Sequence, residues 1–117
     1  MFLRLEGAED QPYFLRVAAA VRRAIAEGNV APGERLPTAK ELAESLGVNL
    51  HTVLRSYAVL RDEGLVEMGR GRAVRVAPAA SPERARLGDM VERLASEARH
   101  WGLAPEEAAA LVAAAMR

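Results

Sequence analysis

The sequence LPTAKELAESLGVNLHTVLRSYAVLRDEGL, residues 36–65, carries the strongest structural pattern in this chain. It predicts two helices joined by a sharp turn. Thr38 is in position to cap the first helix, and Glu41, three residues later, completes a capping box. Gly47 suits the left-handed backbone that ends a helix, and Asn49 is a good N-cap for the helix that follows.

The second of these helices has two different faces. Val53, Tyr57 and Leu60 recur at helical spacing and predict the face that packs into a core. Gly64 ends the helix. The residues near its N-terminus that are expected to point outward are Leu50, His51, Thr52, Leu54 and Arg55. Two short helices, a glycine-bearing turn and an outward polar face at the second N-terminus are typical of a helix-turn-helix.

A basic hairpin follows directly. Leu65–Met68 predicts a short strand, Gly69–Arg72 a tight turn and Ala73–Val76 the returning strand. Such a hairpin is typical of a wing, which holds cationic groups beside phosphates while the preceding helix enters the major groove. Upstream, Glu34–Leu36 is expected to form a brief strand against this wing.

The chain resembles the GntR-type winged-helix transcription regulators at four segments: PGERLPTAKELAESLGVN, HTVLRSY, EGLVE and GRGRAV. Asn49 and the run from Thr52 to Tyr57 are similar to the YtrA branch, whose C-terminal part is short. The resemblance is strongest over residues 1–78. It implies a sequence-specific DNA-binding regulator, most simply a homodimeric repressor at an inverted-repeat operator, and a short helical tail that serves as the dimerisation unit.

A further helix is predicted before this module. Apolar residues recur at helical spacing from Phe14 to Ile25, and the helix is expected to end at Gly28. Residues 2–5 are expected to form a short edge strand or to pack against this helix. Three charges lie off its apolar stripe and are expected to be solvated: Arg16, Arg22 and Arg23.

Two more helices are predicted after a linker at residues 77–81. Ser81 and Pro82 form a cap and first-turn pair for a helix that ends at Gly102. Pro105 opens the last helix, although Ala104 before it is a poor cap. The predicted fold class is α+β, mostly α, with a winged helix-turn-helix DNA-binding domain at residues 1–78 and a two-helix dimerisation tail at residues 79–117.

The apolar stripes of the tail need a surface to cover them. The tail could fold back onto the winged helix or pair with a second chain, and we favour a homodimer because something must fix the spacing of two reading heads on an inverted repeat. A small-molecule effector, if there is one, is expected at the dimer interface or between tail and head, since the tail is too short to enclose a pocket of ordinary size. The predicted dimerisation residues are Leu87, Met90, Val91, Leu94, Trp101 and Leu111.

Contacts to double-stranded DNA are predicted from the two helices and the wing, at Thr38, Lys40, Asn49, His51, Thr52, Arg55, Tyr57, Arg70, Gly71 and Arg72. By the resemblance, Lys40 holds a position where relatives usually carry a DNA-contacting arginine, and a lysine lacks the bidentate fork. Leu50 and Leu54 stand where relatives have arginines and could contact thymine methyl groups. Tyr57 is expected in the core with its hydroxyl available to a phosphate. A merely solvated lysine and a solvated hairpin tip are the alternatives at Lys40 and in the wing.

The net charge of the chain is also compatible with a second class of function. The 117 residues include 16 basic and 16 acidic residues, so the net charge is zero and any field that attracts DNA must be local. Such a local field is present from Met68 to Val76, which hold three arginines and no acid. Net neutrality also suits a winged-helix protein-interaction adaptor that binds no specific DNA.

An enzyme is not expected. The chain has no cysteine and only two histidines, which is poor material for a metal site. The GRGR turn lacks the Lys-Ser/Thr ending of a phosphate-binding loop and precedes a strand. No catalytic residue and no cofactor are therefore predicted. With no signal peptide and no long apolar run, a cytoplasmic protein without membrane contact is the expectation.

Overall fold

The computed structural model describes Leu3, Leu5 and residues 11–117. The elements, in chain order, are α1 Tyr13–Ala26, β1 Arg35–Leu36, α2 Ala39–Leu46, α3 Leu50–Asp62, β2 Val66–Met68, β3 Val74–Val76, α4 Pro82–His100 and α5 Pro105–Ala115. The predicted α+β class with a winged helix-turn-helix is confirmed. Residues 2 and 4 of the predicted N-terminal strand lie outside the described residues, while Leu3 and Leu5 pack against the core.

The predicted cap of α2 is present. The Thr38 hydroxyl oxygen accepts from the Glu41 backbone N–H at 3.1 Å, and the Glu41 carboxylate accepts from the Thr38 backbone N–H at 2.9 Å. Because the Thr38 backbone N–H donates to it, the Glu41 carboxyl has a pKa below its ordinary value. Gly47 has φ +68°, the left-handed conformation that ends α2 before the turn.

The wing and the first strand form one small antiparallel sheet. Its order is β1-β3-β2, with Leu36 opposite Val74 and Val66 opposite Val76. The predicted pairing of the 34–36 segment with the wing is therefore confirmed. The Gly69 N–H donates to the Ala73 carbonyl at 2.8 Å and closes the hairpin.

The core lies where α1, α2 and α3 pack together beneath the sheet. Apolar residues from every helix of the winged helix and from each strand contribute to it, among them Val17, Val21, Ile25, Leu42, Val53, Leu60, Leu36, Val66 and Val74. This apolar interior holds the first turn of α3 and the wing on one side of the molecule.

Two of the three α1 arginines expected to be solvated have structural roles. Arg22 is only 1% exposed, and its guanidinium makes two hydrogen bonds to Glu63 at the end of α3. Arg16 is half-buried and donates to the Leu5 carbonyl at 2.7 Å. The expectation failed because it counted only apolar residues toward the buried face, whereas the face of α1 covered by α4 also contains an ion pair.

Of the two alternatives considered for the tail, folding back onto the head is observed for one face of α4. Ser81 caps α4, its hydroxyl oxygen accepting from the Arg84 N–H at 3.1 Å, and α4 then packs along α1 with Ala85 fully buried in the core. The opposite face of α4 is exposed. Helix α5 has no buried residue. One face of α4 thus folds back onto the head, and the other face remains uncovered together with α5.

Candidate nucleic-acid interface

Three separate elements converge on one cleft. Lys40 from α2, Leu50 and Leu54 from α3, and Gly71 and Arg72 from the wing all line it. Its volume is about 390 Å³, and the remaining lining residues are Ala39, Met68, Ala73 and Val74. Residues predicted separately to contact DNA therefore share one surface, with an apolar floor and a cation from each side.

The N-terminus of α3 is fixed at this cleft by its cap. The Asn49 side-chain oxygen accepts from the His51 backbone N–H at 2.7 Å, which is the predicted capping role. His51 itself is exposed, and Thr52 is half-buried. The backbone amides of this first turn and the helix dipole together favour an anion.

Arg55 lies one turn further along α3 and is supported by α1. Its guanidinium carbon is 3.8 Å from the centre of the Phe14 ring, a cation–π stack that limits the rotamers open to a long side chain. Arg55 remains exposed. The helical spacing predicts Phe14 in the apolar stripe of α1, and nothing in the sequence pairs it with Arg55, which is far away in the chain.

Behind the same helix, a hydroxyl joins α3 to α1. Ser56 is fully buried, and its Oγ lies 2.7 Å from the Phe14 carbonyl oxygen and 2.8 Å from the Thr52 carbonyl oxygen. Its single proton can serve either acceptor. Ser56 was missed in the sequence because a serine on a helix is usually a neutral surface residue.

Tyr57 corrects one of the predicted DNA contacts. The side chain is fully buried, as expected, but its hydroxyl donates to the Pro37 carbonyl at 2.7 Å. Burial raises the pKa of the phenol, with the Glu41 carboxylate adding to the effect. Tyr57 joins α3 to the segment before α2, and its hydroxyl is engaged in this hydrogen bond.

The three arginines of the wing differ in their contacts. Arg70 and Arg72 are exposed on either side of Gly71, which has φ +67°. Neither forms an ion pair with another residue that the structure describes. Arg75 points back toward the turn before β1, where its guanidinium lies 3.4 Å from the Gly33 carbonyl oxygen. The wing therefore offers two uncommitted charges, with a left-handed glycine between them.

The residues predicted for dimerisation are all exposed. Leu94, at 40%, is the least exposed of the six, and Trp101, at 72%, the most; the others are Leu87, Met90, Val91 and Leu111. The Trp101 indole N–H donates to the Glu97 carboxylate at 2.9 Å. Five of them recur at helical spacing along one face of α4 and its C-cap, Trp101, and Leu111 is on α5.

Residues 14–76 match the family model described as bacterial regulatory proteins, gntR family. This chain belongs to the GntR family. The HTH-type transcriptional regulator Rv1152 of Mycobacterium tuberculosis is 32% identical over 107 residues, covering 92% of this chain and 88% of that protein. The HTH-type transcriptional repressor YtrA of Bacillus subtilis is 29% identical over 70 residues, 60% of this chain, and the match spans 54% of the repressor.

Solved structures agree with this family assignment. YtrA from Sulfolobus acidocaldarius, a GntR-family transcription factor, is 28% identical with a TM-score of 0.57, and the alignment covers 99% of this chain and 96% of that one. The DNA-binding domain of AraR, solved in complex with operator ORX1, is 26% identical with a TM-score of 0.57, covering 66% of this chain and 93% of that one. The predicted YtrA-like GntR identity is confirmed.

The family and its relatives are transcription regulators that bind DNA, and they are not enzymes. Because these regulators bind DNA, the cleft between α2, α3 and the wing is the candidate DNA interface of this chain. Within the part of the chain that the structure describes, no helix combines the length and apolarity needed to cross a bilayer.

Proposed function

We propose that this GntR-family protein is a homodimeric transcriptional repressor that binds an inverted-repeat operator. Residues 1–78 would read the DNA and residues 79–117 would pair two copies. The observation that carries the proposal is the convergence of Lys40, the N-terminus of α3 and Arg72 on one cleft, although they come from three separate elements.

The charges on this surface suit a phosphate backbone. Lys40, Arg70 and Arg72 are exposed and form no ion pair with any other described residue, so contact with DNA would break none. The N-terminus of α3 adds backbone donors. In our proposal Lys40 and the wing arginines contact phosphates or the minor groove, while the outer face of α3 enters the major groove.

Other predicted contacts have supporting roles in this proposal. Thr38 and Asn49 use their side chains as caps and orient the first turns of α2 and α3. His51 and Arg55 are the polar groups of α3 left to reach base edges or phosphates. Stacking on Phe14 lowers the entropy that Arg55 would lose on binding.

The neutral chain is consistent with this arrangement because no acid is among the described residues that line the cleft. Asp62 and Glu63 are at the C-terminal end of α3, and Glu63 is neutralised by Arg22. Glu67 is on β2. Asp62 and Glu63 are therefore separated from the DNA-facing end of α3 by the length of the helix.

Dimerisation through the tail follows from its uncovered apolar side chains. Helix α5 has no buried residue, and a helix of 11 residues is marginal in water without tertiary packing. A second copy would bury Leu94, Trp101 and Leu111 against matching residues, as a two-fold interface requires. A small-molecule effector would act at this interface or in the open cleft of about 590 Å³ between the start of α1 and the end of α4.

The test is salt-dependent DNA binding, measured by fluorescence anisotropy on a duplex enriched by this protein from a random pool. The wild type should lose affinity steeply with salt. Lys40→Ala, Arg70→Ala and Arg72→Ala should each weaken binding and lower the log–log salt slope by about 2, because the homodimer loses one contact in each half-site. Arg61→Ala, the same charge change at the far end of α3, is the matched control and should leave the slope unchanged.

Two results would contradict the proposal. Equal slopes for the wild type and all three variants would mean that this surface does not contact DNA. A salt-independent response, or no DNA binding at low salt, would favour the protein-interaction adaptor.

A further inference from the structure

The cleft between α3 and the wing has an apolar floor on a surface expected to meet a polyanion. Leu50 and Leu54 are 43% and 41% exposed, and Met68 of β2 is 41% exposed beside them. Exposed leucines near the N-terminus of α3 do not contribute to the stability of the isolated protein. Their exposure is explained if an apolar group covers them in the complex.

Apolar and charged residues occupy different parts of this cleft. Leu50 and Leu54 are four residues apart on α3 and share one helix face. Met68 and Val74 are opposite each other in the β2–β3 register and close the other wall. Lys40 and Arg72 are the only charged residues among the described residues that line the cleft. An apolar strip flanked by two cations matches the edge of a DNA strand that carries a methyl group near its phosphates.

We propose that Leu50 and Leu54 recognise the C5-methyl groups of thymines in the major groove of each half-site. This inference rests on the proposed DNA-binding function and names the base feature that α3 reads. The thymine methyl is the one apolar group that a base pair presents in the major groove. Arginines at these two positions would instead favour guanine.

The spacing of the two leucines sets the number of bases involved. Four residues of α-helix rise about 6 Å. Two steps along one DNA strand cover about 6.8 Å. Leu50 and Leu54 can therefore contact methyl groups on two thymines of one strand that have a single base between them, in each half-site.

The expected size of the effect follows from methyl burial. Removing one buried methyl group from the interface should weaken binding about fourfold. Removing the symmetric pair, one in each half-site, should weaken binding about 16-fold if the half-sites act independently.

The test replaces thymine by deoxyuridine, which has the same hydrogen-bonding groups and lacks only the methyl. A duplex enriched from a random pool is synthesised with one thymine at a time exchanged, and affinity is measured by fluorescence anisotropy. One or two thymines per half-site should show the fourfold loss, and thymines elsewhere in the duplex, which serve as the internal control, should show none.

Protein variants assign the effect to the leucines. In Leu50→Ala or Leu54→Ala, the ratio of affinities for the thymine and deoxyuridine duplexes should fall to about one at the position that the leucine contacts. Both side chains are partly exposed, so the variants should fold, and circular dichroism checks this. A general loss of structure would lower both affinities equally, whereas loss of methyl contact changes their ratio.

The outcomes separate the two proposals. Tight, salt-dependent binding with no sensitivity to deoxyuridine at any position would overturn methyl recognition and leave the DNA-binding function intact. Sensitivity that persists at the same thymine in both leucine variants would overturn the assignment to these residues. Failure to enrich any duplex would overturn both proposals.

Discussion

Arg22 of α1 and Glu63 at the end of α3 form a two-bonded ion pair, with Nε to Oε1 at 2.8 Å and Nη2 to Oε2 at 2.6 Å. Arg84 of α4 adds a contact at 3.3 Å to the Glu63 carbonyl oxygen. The chain of α4 passes directly over the pair at Gly88. The C-terminal end of α3 is therefore bound both to α1 and to α4, the first helix of the tail.

Removing the carboxylate should be costly, because Arg22 would remain buried without its counter-charge. We expect Glu63→Ala to lower the free energy of unfolding by about 3 kcal/mol, the low end for a broken buried pair since Glu63 keeps part of its surface in water. Urea unfolding of the wild type and the variant measures this difference in free energy. Asp62→Ala, the neighbouring exposed acid, is the control and should change stability by less than about 0.5 kcal/mol. Equal effects for the two substitutions would contradict a buried pair.

Gly88 should tolerate no side chain while the ion pair is in place. A methyl at this position would lie 2.6 Å from Glu63 Oε1 and 3.1 Å from Arg22 Nε. Alanine normally stabilises a helix relative to glycine by up to about 1 kcal/mol. We expect Gly88→Ala instead to destabilise the protein by about 1–2 kcal/mol, because the carboxylate must leave its partner to make room.

A double-mutant cycle isolates the cause. In the Glu63→Ala background the 2.6 Å conflict is removed and Arg22, no longer held by its partner, can shift from its 3.1 Å contact, so Gly88→Ala should become neutral or stabilising in urea unfolding. If Gly88→Ala were equally harmful with and without Glu63, the packing of α4 on α1 would be responsible, not the ion pair.

Tyr57→Phe should affect stability and leave DNA affinity unchanged. The substitution removes the hydroxyl that donates to the Pro37 carbonyl and should cost about 1 kcal/mol in the free energy of unfolding. Denaturant unfolding and anisotropy titration, both well below the melting temperature, measure the two quantities. A weaker DNA affinity in a variant of unchanged stability would mean that the hydroxyl contacts a phosphate after all.

A charge in the exposed face of α4 should separate the subunits. We expect the wild type to sediment as a dimer, and Leu94→Glu to sediment as a monomer at the same concentration, because pairing would bury an uncompensated carboxylate. Ser45→Glu, an acid added at an exposed position of α2, is the control and should stay dimeric. A monomeric wild type would contradict the proposed role of the tail.

The local features of this fold could be predicted from the sequence because each depends on a few neighbouring residues. The capping box of Thr38 and Glu41, the left-handed Gly47 and the Asn49 cap all act over two or three positions. The basic hairpin likewise has its turn glycines and alternating strand residues close together. Such signals do not need knowledge of the tertiary structure.

Contacts between distant segments could not be predicted in this way. Arg22 was expected in water because a charge on a helix is usually solvated, and only the tertiary fold brings Glu63 to it. The same holds for the stack of Arg55 on Phe14. Helix α4 also reverses the usual rule: the small residue Ala85 is buried, while the large Leu87 and Leu94 are exposed. Alanine permits close approach to α1, and this leaves the larger side chains on the uncovered face.

The cleft at the candidate site combines both kinds of information. Five of the lining residues can be identified from the sequence on their own elements, namely Lys40, Leu50, Leu54, Gly71 and Arg72. Their convergence depends on how the hairpin folds back toward α3, which the sequence does not state. The apolar floor completed by Met68 and Val74 became visible only once the strands were paired with α3 beside them.

Selection of bound duplexes from a random DNA pool tests the central claim most directly. If two copies of this winged helix read DNA through the cleft and are paired by their tails, the enriched sequences should converge on an inverted repeat with a fixed distance between its halves. Enrichment of a single, unrepeated site, or no enrichment above the starting pool, would contradict the account.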